Sequence, residues 1–258
     1  MRLRLDSRLR GNDKLVKALH VVQHTSAEYL GLIEDHLEGR GVRFRYYRPF
    51  ATDGALPLAG TLRDGLILLG GGPWGAAGTR DLPTLREEVD LARAVLARGW
   101  PLVGIGLGAQ IVAIAAGSRA EDAPLEFTVT RASRTVEGAL GGYLPKEFAM
   151  ATYGRDRTAP PPGAVVLARD ALDRVALWQL GERTFGFAGH PGFKVAMVED
   201  LVMEFDETPA EIEPGLARLR AVQREIEDAL VPVMTGLVRA AGWMDPKGGL
   251  DAIPVRRA

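Results

Sequence analysis

The sequence predicts an α/β fold with an open, mostly parallel β-sheet and a helical C-terminal tail. Short apolar runs alternate with segments of helical periodicity through the first half of the chain, and turns rich in glycine or hydroxyl residues separate them. With 258 residues, of which 47% are hydrophobic, the chain can bury one sizeable core. Strands that alternate with helices form parallel sheets, whose ligands bind beyond the carboxyl ends of the strands.

The first predicted unit is a strand, a helix and a second strand. Residues 18–23 form a short apolar run that ends at the helix-capping segment 24–26. Apolar residues then recur at helical spacing over residues 29–37, and glycines stop this helix before residues 42–48 alternate as a strand. The chain therefore opens with a β-α-β unit.

Two further strand–helix steps follow. Residues 66–69 are apolar and precede a glycine-rich turn, after which residues 85–97 have helical spacing. Residues 101–105 form the fourth apolar run, which breaks at Gly106 before the small, apolar, helix-compatible segment 109–116. These steps extend the parallel sheet.

The pattern changes after Gly117 to short stretches typical of mixed or antiparallel strands. Turn-forming residues separate these four stretches, which are residues 125–130, 164–168, 174–180 and 184–189. From residue 209 to residue 243 a helical period returns, and we expect Pro214 and Pro232 to interrupt it.

The expected domain organisation is one domain with a segment at each end. Residues 1–14 are basic and lack a regular period, so we expect them to be disordered, with a short basic arm as the alternative. Residues 15–206 form the predicted domain, and residues 207–258 form a helical C-terminal extension.

Composition excludes several classes of function. The chain has 32 basic and 33 acidic residues and a formal net charge of -1, which favours neither nucleic acid nor an acidic membrane as a partner. It has no cysteine, so disulfides, thiolate metal sites and thiol nucleophiles are excluded. No segment approaches the roughly 18 apolar residues of a membrane helix, and the N-terminus lacks a secretion signal, so a cytoplasmic location is expected.

The segment from Gly104 to Gln110 reads G-I-G-L-G-A-Q and resembles the nucleophile elbow of class I glutamine amidotransferases. It is most similar to stand-alone relatives of the GMP synthase glutaminase domain, whose motif reads G-I-C-L-G-A-Q. Every position matches except the catalytic cysteine, which is Gly106 here. The resemblance implies a flavodoxin-like, three-layer sandwich in which a strand, a sharp turn and a helix display the residue at this position.

A second match is the sequence L-G-G-G-P-W at residues 69–74, which corresponds to the glycine-rich turn of the same family. In the family this turn supplies one backbone amide to an oxyanion hole, and the residue after the nucleophile supplies the other. The resemblance places these donors near Gly72 and at Leu107. By itself, a glycine–proline turn after a strand is common.

A third match is the sequence G-F-A-G-H-P-G at residues 186–192, where the family has G-x-Q-F-H-P-E. His190 stands at the position of the catalytic base, whereas Gly192 replaces the glutamate that orients it. Without that carboxylate, residue 192 can neither fix the histidine tautomer nor stabilise an imidazolium. We therefore interpret Gly106, His190 and Gly192 as vestigial catalytic positions.

The resemblance also indicates a ligand pocket. The sequence A-T-Y-G-R-D at residues 151–156 replaces a histidine-rich H-W-H-G-D segment of the family, and only Gly154 and Asp156 match it. The residues that we expect to contact a ligand share a place in the three motifs or in this segment; they are Gly71, Gly72, Leu107, Gln110 and Tyr153. Glutamine or a related small carboxylate is the expected ligand.

The function implied is that of a catalytically inactive pseudo-glutaminase, because glycine has no side chain with which to form a thioester. The alternative is altered chemistry, with a non-cysteine nucleophile or with the active site of a partner. Hydroxyls that could replace the thiol belong to Thr25, Ser26, Ser118 and Thr152, and each would need a newly built base. No cofactor or metal is expected, since His20 and His24 lack a clear set of carboxylate partners.

Two structural observations would separate ligand sensing from a scaffold role. An open pocket around Gly106 and His190 would favour sensing, whereas filling of that pocket by Trp74, Tyr153, Phe187 or Phe193 would favour a scaffold. A protein partner or a homodimer is expected in either case. Exposure of the apolar residues of the tail would indicate docking, and their burial would make them ordinary core.

Overall fold

The computed structural model describes residues 17–244 as one nine-stranded sheet, a two-stranded sheet and flanking helices. The strands are β1 (Ala18–Val22), β2 (Arg43–Tyr47), β3 (Leu66–Leu68), β4 (Leu102–Ile105), β5 (Ala120–Glu121), β6 (Glu126–Arg134), β7 (Glu147–Gly154), β8 (Arg157–Thr158), β9 (Val165–Asp170), β10 (Val175–Leu180) and β11 (Thr184–Phe187). The α-helices are α1 (Leu32–Glu38), α2 (Leu85–Leu96), α3 (Leu107–Ala115), α4 (Val195–Glu204) and α5 (Ile212–Ala240), and short 3-10 helices span Ala59–Asp64 and Ala139–Gly142.

The large sheet has a parallel half and an antiparallel half. Its strand order is β2-β1-β3-β4-β11-β10-β9-β6-β7. All pairs from β2 through β11 are parallel, and all pairs from β11 through β7 are antiparallel. Strand β11 therefore joins the two halves, since it is parallel to β4 and antiparallel to β10.

Side chains of the central strands alternate between two apolar layers. In β3, Leu66 and Leu68 pack with α2 and α3, whereas Ile67 packs on the opposite face with α1 and α5. A third cluster lies where α4 and α5 cover β6 and β7. The result is the three-layer, flavodoxin-like α/β sandwich that the sequence predicts, with helices on both faces of the sheet.

Most predicted elements are confirmed, but strands β5, β7 and β8, helix α4 and the two 3-10 helices were not predicted. All four strands and the helices of the parallel half occur where periodicity places them, although α1 begins at Leu32 and not near Tyr29. The sequence indicates only a pocket-lining segment where β7 lies, and it gives no prediction for α4. Residues 1–14 and the last part of the 207–258 extension lie outside the described residues.

The C-terminal tail packs as part of the core. Helix α5 continues through Pro232, so the expected interruption of the helix is wrong. A proline removes one hydrogen bond from a helix, and here burial on both sides of it compensates, because Leu230 and Val233 lie in the main core. The apolar residues Leu216 and Leu219 are also buried, so the helix offers no apolar docking face at these positions.

Candidate functional site

Gly106 forms the sharp turn between β4 and α3. Its backbone angles are φ 57° and ψ -120°, a conformation that glycine adopts readily and that L side chains rarely adopt. The Gly106 N–H donates to the carbonyl oxygen of Phe187 at 2.9 Å, and the Gly108 N–H donates to that of Leu69 at 2.9 Å. The elbow geometry is therefore kept although residue 106 has no side chain.

The turn at Gly106 opens onto a cavity. A Cβ atom built at this residue would have a single neighbour within 4 Å, the Cα atom of Gly70 at 3.3 Å. The cavity has a volume of about 400 Å³ and lies beyond the carboxyl ends of β4 and β11. All the residues expected to contact a ligand line it: Gly71, Gly72, Leu107, Gln110 and Tyr153.

Two residues that line the cavity each carry a buried polar side-chain atom without a hydrogen-bond partner among the described residues. The Gln110 side chain donates from Nε2 to the carbonyl oxygen of Arg155 at 2.8 Å, but its Oε1 atom is buried and unpaired. The Tyr153 hydroxyl is also buried and unpaired, and burial raises the pKa of this phenol. Buried polar atoms are rarely left unpaired, so a ligand or water is expected to satisfy both.

One wall of the cavity is fixed by Arg155 and Asp156. Arg155 donates from Nε to the carbonyl oxygen of Pro73 at 2.6 Å and pairs with Glu207. The Asp156 carboxylate accepts from the backbone N–H of Ala76 at 2.7 Å, and the residue adopts the left-handed region at φ 59°. The A-T-Y-G-R-D segment thus anchors the glycine-rich turn and the loop that follows it.

The mouth of the cavity is lined by paired charges. Arg157 and Arg174 both lie within ion-pair distance of Glu126, at 3.1 and 3.6 Å. Arg174 also pairs with Asp170 at 2.7 Å. The walls nearer Gly106 are apolar and include Trp74 and Trp178.

His190 is sealed away from the cavity that Gly106 lines. The residue is 2% exposed, and its ring stacks on Phe193 with the ring centroids 5.4 Å apart. Its Nδ1 accepts from the Gly192 N–H at 3.1 Å, so Nε2 carries the proton and donates to the carbonyl oxygen of Tyr29 at 2.8 Å. Burial lowers the pKa of His190 to about 4. Both ring nitrogens are occupied, and the imidazole is neutral at pH 7.

A side chain at residue 192 would make tight contacts with its neighbours. A Cβ atom built there would lie 3.0 Å from Cγ1 of Ile33, 3.1 Å from the Ile33 nitrogen and 3.3 Å from the carbonyl oxygen of Leu30. The carbonyl oxygen of Gly192 also accepts from the Leu32 N–H at 3.1 Å, which ties residue 192 to the start of α1. A glutamate at this position would have to displace that segment.

The glycine-rich turn is held by hydrogen bonds to buried histidine and glutamate side chains. The Gly70 carbonyl oxygen lies 3.0 Å from Nδ1 of His24, and the Gly72 N–H donates to Oε2 of Glu28 at 2.5 Å. Nε2 of His24 lies 2.7 Å from Oε2 of Glu88. The Gly72 N–H is therefore already used, because Glu28 accepts its hydrogen.

Sequence reasoning misses this buried network. The sequence indicates a surface or packing role for His24 and gives no role to Glu28 or Glu88. A signal is present in the placement of Glu88 on the apolar face of α2, between positions that face the core. Among residues 17–244, no group of three or more histidine, aspartate or glutamate side chains could hold a metal ion.

Fold and site together define the class: the chain has the flavodoxin-like fold of glutamine amidotransferases, with the nucleophile elbow occupied by glycine. No model of a known protein family matches the chain. No curated protein matches it in sequence. None of the described helices is long and apolar enough to cross a membrane.

Solved structures give the particular likeness. A glutamine amidotransferase from Methylobacillus flagellatus is 23% identical, with 92% of this chain and 99% of that chain covered and a TM-score of 0.69. One from Thermotoga maritima is 19% identical, with coverage of 87% and 97% and a TM-score of 0.72. A Thermoplasma acidophilum protein described as part of a GMP synthase is 21% identical, with coverage of 81% and 98% and a TM-score of 0.52.

Proposed function

We propose that this protein is a pseudo-glutaminase: it binds glutamine, glutamate or a related small carboxylate and does not hydrolyse it. The observation that carries the proposal is the division of the site. The half around Gly106 remains an open cavity, while the half around His190 is closed by Phe193 and the start of α1. A ligand has space, but the reaction lacks both nucleophile and base.

The cavity supports binding of a small polar molecule. It is concave, has apolar walls, and is lined by Gln110 and Tyr153, which each carry an unpaired polar atom. Trp74 and Tyr153 line the cavity without filling it, which favours ligand sensing over a pure scaffold. We propose the five expected contact residues as the ligand site, with Gly72 contributing its backbone shape and not its amide hydrogen.

Loss of hydrolysis is supported by three independent features. Residue 106 has no nucleophilic atom, residue 192 has no carboxylate, and His190 has no free ring nitrogen. Any one of these would impair the chemistry, since the triad acts as a unit. Natural sequence divergence explains glycine at both residue 106 and residue 192, whereas a single engineered substitution of the cysteine would explain only residue 106.

Isothermal titration calorimetry with L-glutamine tests the proposal, combined with an assay for released ammonia. We expect saturable binding heat without sustained heat or ammonia. Tyr153→Phe should weaken binding, because it removes an unpaired hydroxyl from a residue that lines the cavity. Tyr143→Phe, at the exposed hydroxyl bonded by Arg239, should leave binding unchanged. Sustained turnover, or no binding of glutamine or glutamate, would refute the proposal.

The alternative function is hydrolysis or transfer with a different nucleophile. Of the four candidate hydroxyls, Thr152 is the one that lines the cavity. None of the described histidines lines that cavity, so Thr152 has no histidine base beside it. The ammonia assay on Thr152→Val, with Thr135→Val as a control outside the cavity, decides this alternative if wild-type turnover is found.

We also propose that the protein acts with a protein partner or as a homodimer. The support is indirect: one structural neighbour is described as belonging to a GMP synthase. The apolar residues Leu216, Leu219, Ile226 and Leu230 of α5 are buried in the chain itself, so the partner would use another surface. Light scattering on a size-exclusion column measures the molar mass in solution, and a strictly monomeric result would rule out the homodimer.

A further inference from the structure

The cavity has an inner end and an outer end. The inner end lies at Gly106, whose N–H donates to the carbonyl oxygen of Phe187, and at the next residue of that segment, Ala188. Met150 also lines this end, since a Cβ atom built on Gly189 would lie 2.7 Å from Cγ of Met150. From there the cavity follows β7 outward to the last residue of the strand.

This cavity is longer than a free amino acid. It follows β7 from Met150 to Gly154, a length of about 13 Å at the usual rise of a strand. Glutamine is a short carbon chain that extends about 7 Å. A glutamine with one end at Gly106 therefore reaches only about halfway to the outer end.

Two threonine side chains lie at the middle of the cavity. Thr128 of β6 and Thr152 of β7 are directly opposite each other in the antiparallel pair, so their side chains lie on the same face of the sheet. Both residues line the cavity, and both are partly exposed. A hydroxyl can donate and accept, so this pair suits an amide group, which offers both an N–H and a carbonyl oxygen.

The outer end offers mainly hydrogen-bond donors. Glu126 lies opposite Gly154, and its two carboxylate oxygens accept from Nη2 of Arg157 at 3.1 and 3.2 Å. Asp170 accepts from Nε of Arg174 at 2.7 Å and from two backbone N–H groups at 2.9 Å. Both carboxylates are thus occupied. Arg157 makes its bonds with Nη2, which leaves the N–H groups on Nε and Nη1 for a ligand.

The outer end also leads to further space. Glu126, Thr128, Arg157 and Arg174 line a second cavity of about 600 Å³ beside the start of α5. These four residues therefore lie between two cavities. A ligand that extends beyond the first cavity meets free space at this boundary and not packed core.

We propose that the ligand is a glutamyl dipeptide: a glutamate joined by an amide bond to a second amino acid, whose carboxylate binds Arg157 at the outer end. The glutamate lies in the inner half of the cavity, and the amide bond lies at Thr128 and Thr152. A glutamate extended by one residue spans about 11 Å, which fits the length of the cavity. The proposal rests on the proposed function, since it names the class of ligand for the same cavity.

Ordinary surface ion pairs are the competing interpretation of the outer end. Exposed pairs contribute little to stability and occur on most proteins. Here, however, the Asp170 side chain is only 4% exposed and bonds Arg174, so this arginine is held beside the cavity. Guanidinium groups held in this way bind carboxylates with directional hydrogen bonds.

Isothermal titration calorimetry on the full chain tests the proposal with matched ligands. The probes are L-glutamine, γ-L-glutamylglycine, α-L-glutamylglycine and the glycinamide form of each dipeptide, which has the same length without the second negative charge. One of the two dipeptides should bind at least about tenfold more tightly than both L-glutamine and its own amide. The two linkages distinguish which carboxyl group of the glutamate carries the extension. Binding of both dipeptides no tighter than L-glutamine or their amides would overturn the proposal.

Variants locate the second carboxylate. Arg157→Met should weaken binding of the tighter dipeptide at least about tenfold and change L-glutamine binding by less than about twofold. Arg131→Met is the matched control, because Arg131 also pairs with a glutamate, is 58% exposed against 54% for Arg157, and lies outside both cavities. It should alter neither affinity. Thr128→Val should weaken dipeptide binding at least about threefold. An equal loss for dipeptide and L-glutamine in Arg157→Met would contradict the assignment.

These outcomes are distinct from those of the proposed function. If L-glutamine binds without turnover and neither dipeptide binds more tightly, the proposed function stands and the dipeptide proposal fails. If a dipeptide binds while glutamine and glutamate do not, the dipeptide proposal stands and the proposed ligand is wrong. Release of glycine from a bound dipeptide would confirm the ligand and refute the pseudo-enzyme. If no probe binds, both proposals fail.

Discussion

The Nε2 atom of His190 donates to the carbonyl oxygen of Tyr29 at 2.8 Å, which directs the imidazole away from the elbow at Gly106. The other ring nitrogen accepts from the Gly192 N–H. A residue that resembles a catalytic base by its position in the sequence is therefore part of the packing between β11 and the start of α1. The surroundings of His190 determine what substitutions at residues 106 and 192 can achieve.

Placing a thiol at residue 106 is predicted not to produce glutaminase activity. Gly106→Cys should release no ammonia from glutamine above background, because His190 is neutral, buried and bonded at both nitrogens. The variant should fold with a loss of roughly 1–3 kcal/mol, the usual cost of a side chain in this backbone region. A coupled ammonia assay and urea unfolding measure both effects, and rapid hydrolysis by this variant would contradict the prediction.

Placing a carboxylate at residue 192 is predicted to destabilise the protein. Gly192→Glu forces a side chain against Ile33 and the Leu30 carbonyl, and overpacking of this kind costs about 1–3 kcal/mol. Gly138→Glu is the matched control, because an added Cβ at Gly138 has no neighbour within 4 Å. Urea unfolding should show a clear loss for the first and little for the second; equal stabilities would show that the segment yields easily.

Glu28 should make the protein less stable as the pH rises. Burial raises its pKa from 4.5 to about 7, so between these values the native state holds a proton that the unfolded state has lost. The stability contribution is present below pH 4.5 and falls by about 3 kcal/mol as the pH rises through 7. Glu28→Gln should abolish this pH dependence of the unfolding free energy, whereas Glu199→Gln on the surface should not. Parallel stability–pH curves for wild type and Glu28→Gln would contradict the prediction.

His190 should act in the opposite direction. Its pKa falls from 6.5 to about 4 on folding, so between these values the unfolded state binds the extra proton. Its contribution is present above pH 6.5 and decreases by about 3 kcal/mol as the pH falls to 4. We expect this pH dependence of the unfolding free energy to be clearest in Glu28→Gln, because that variant lacks the Glu28 carboxyl, whose effect has the opposite sign. An NMR titration should show a neutral, Nε2-protonated ring at about pH 5.5; protonation near pH 6.5 would be incompatible with the buried position.

Local patterns were enough to predict much of the fold. The alternation of apolar runs and helical segments identified the parallel half, because its central strands β3 and β4 are buried throughout and are therefore continuous apolar runs in the sequence. Strand β7 was not predicted, because its residues resemble a pocket-lining segment of the related family. Helix α4 was not predicted, because it begins after Lys194 without a capping side chain. Continuity of α5 through Pro232 could not be deduced, since only packing compensates for the missing hydrogen bond.

The features of the candidate site can also be separated into those that the sequence determines and those that only the fold determines. The sequence by itself determined that residue 106 has no nucleophile, that residue 192 has no carboxylate, and that a glycine-rich turn follows β3. These statements follow from which side chains exist. Tertiary structure alone decided that His190 is sealed, because its Nε2 bonds the carbonyl oxygen of Tyr29, which is far away in the chain.

Tertiary structure also decided the role of the glycine-rich turn. His24, Glu28 and Glu88 reach this turn from separate elements, and the distances among them are set by the packing of β1, α2 and the loops between them. The direction of an amide depends on which partner its neighbouring carbonyl finds. Sequence determines the peptide groups that are available, whereas the fold decides which buried side chain each of them bonds, because hydrogen bonds of buried groups are satisfied only by what lies nearby.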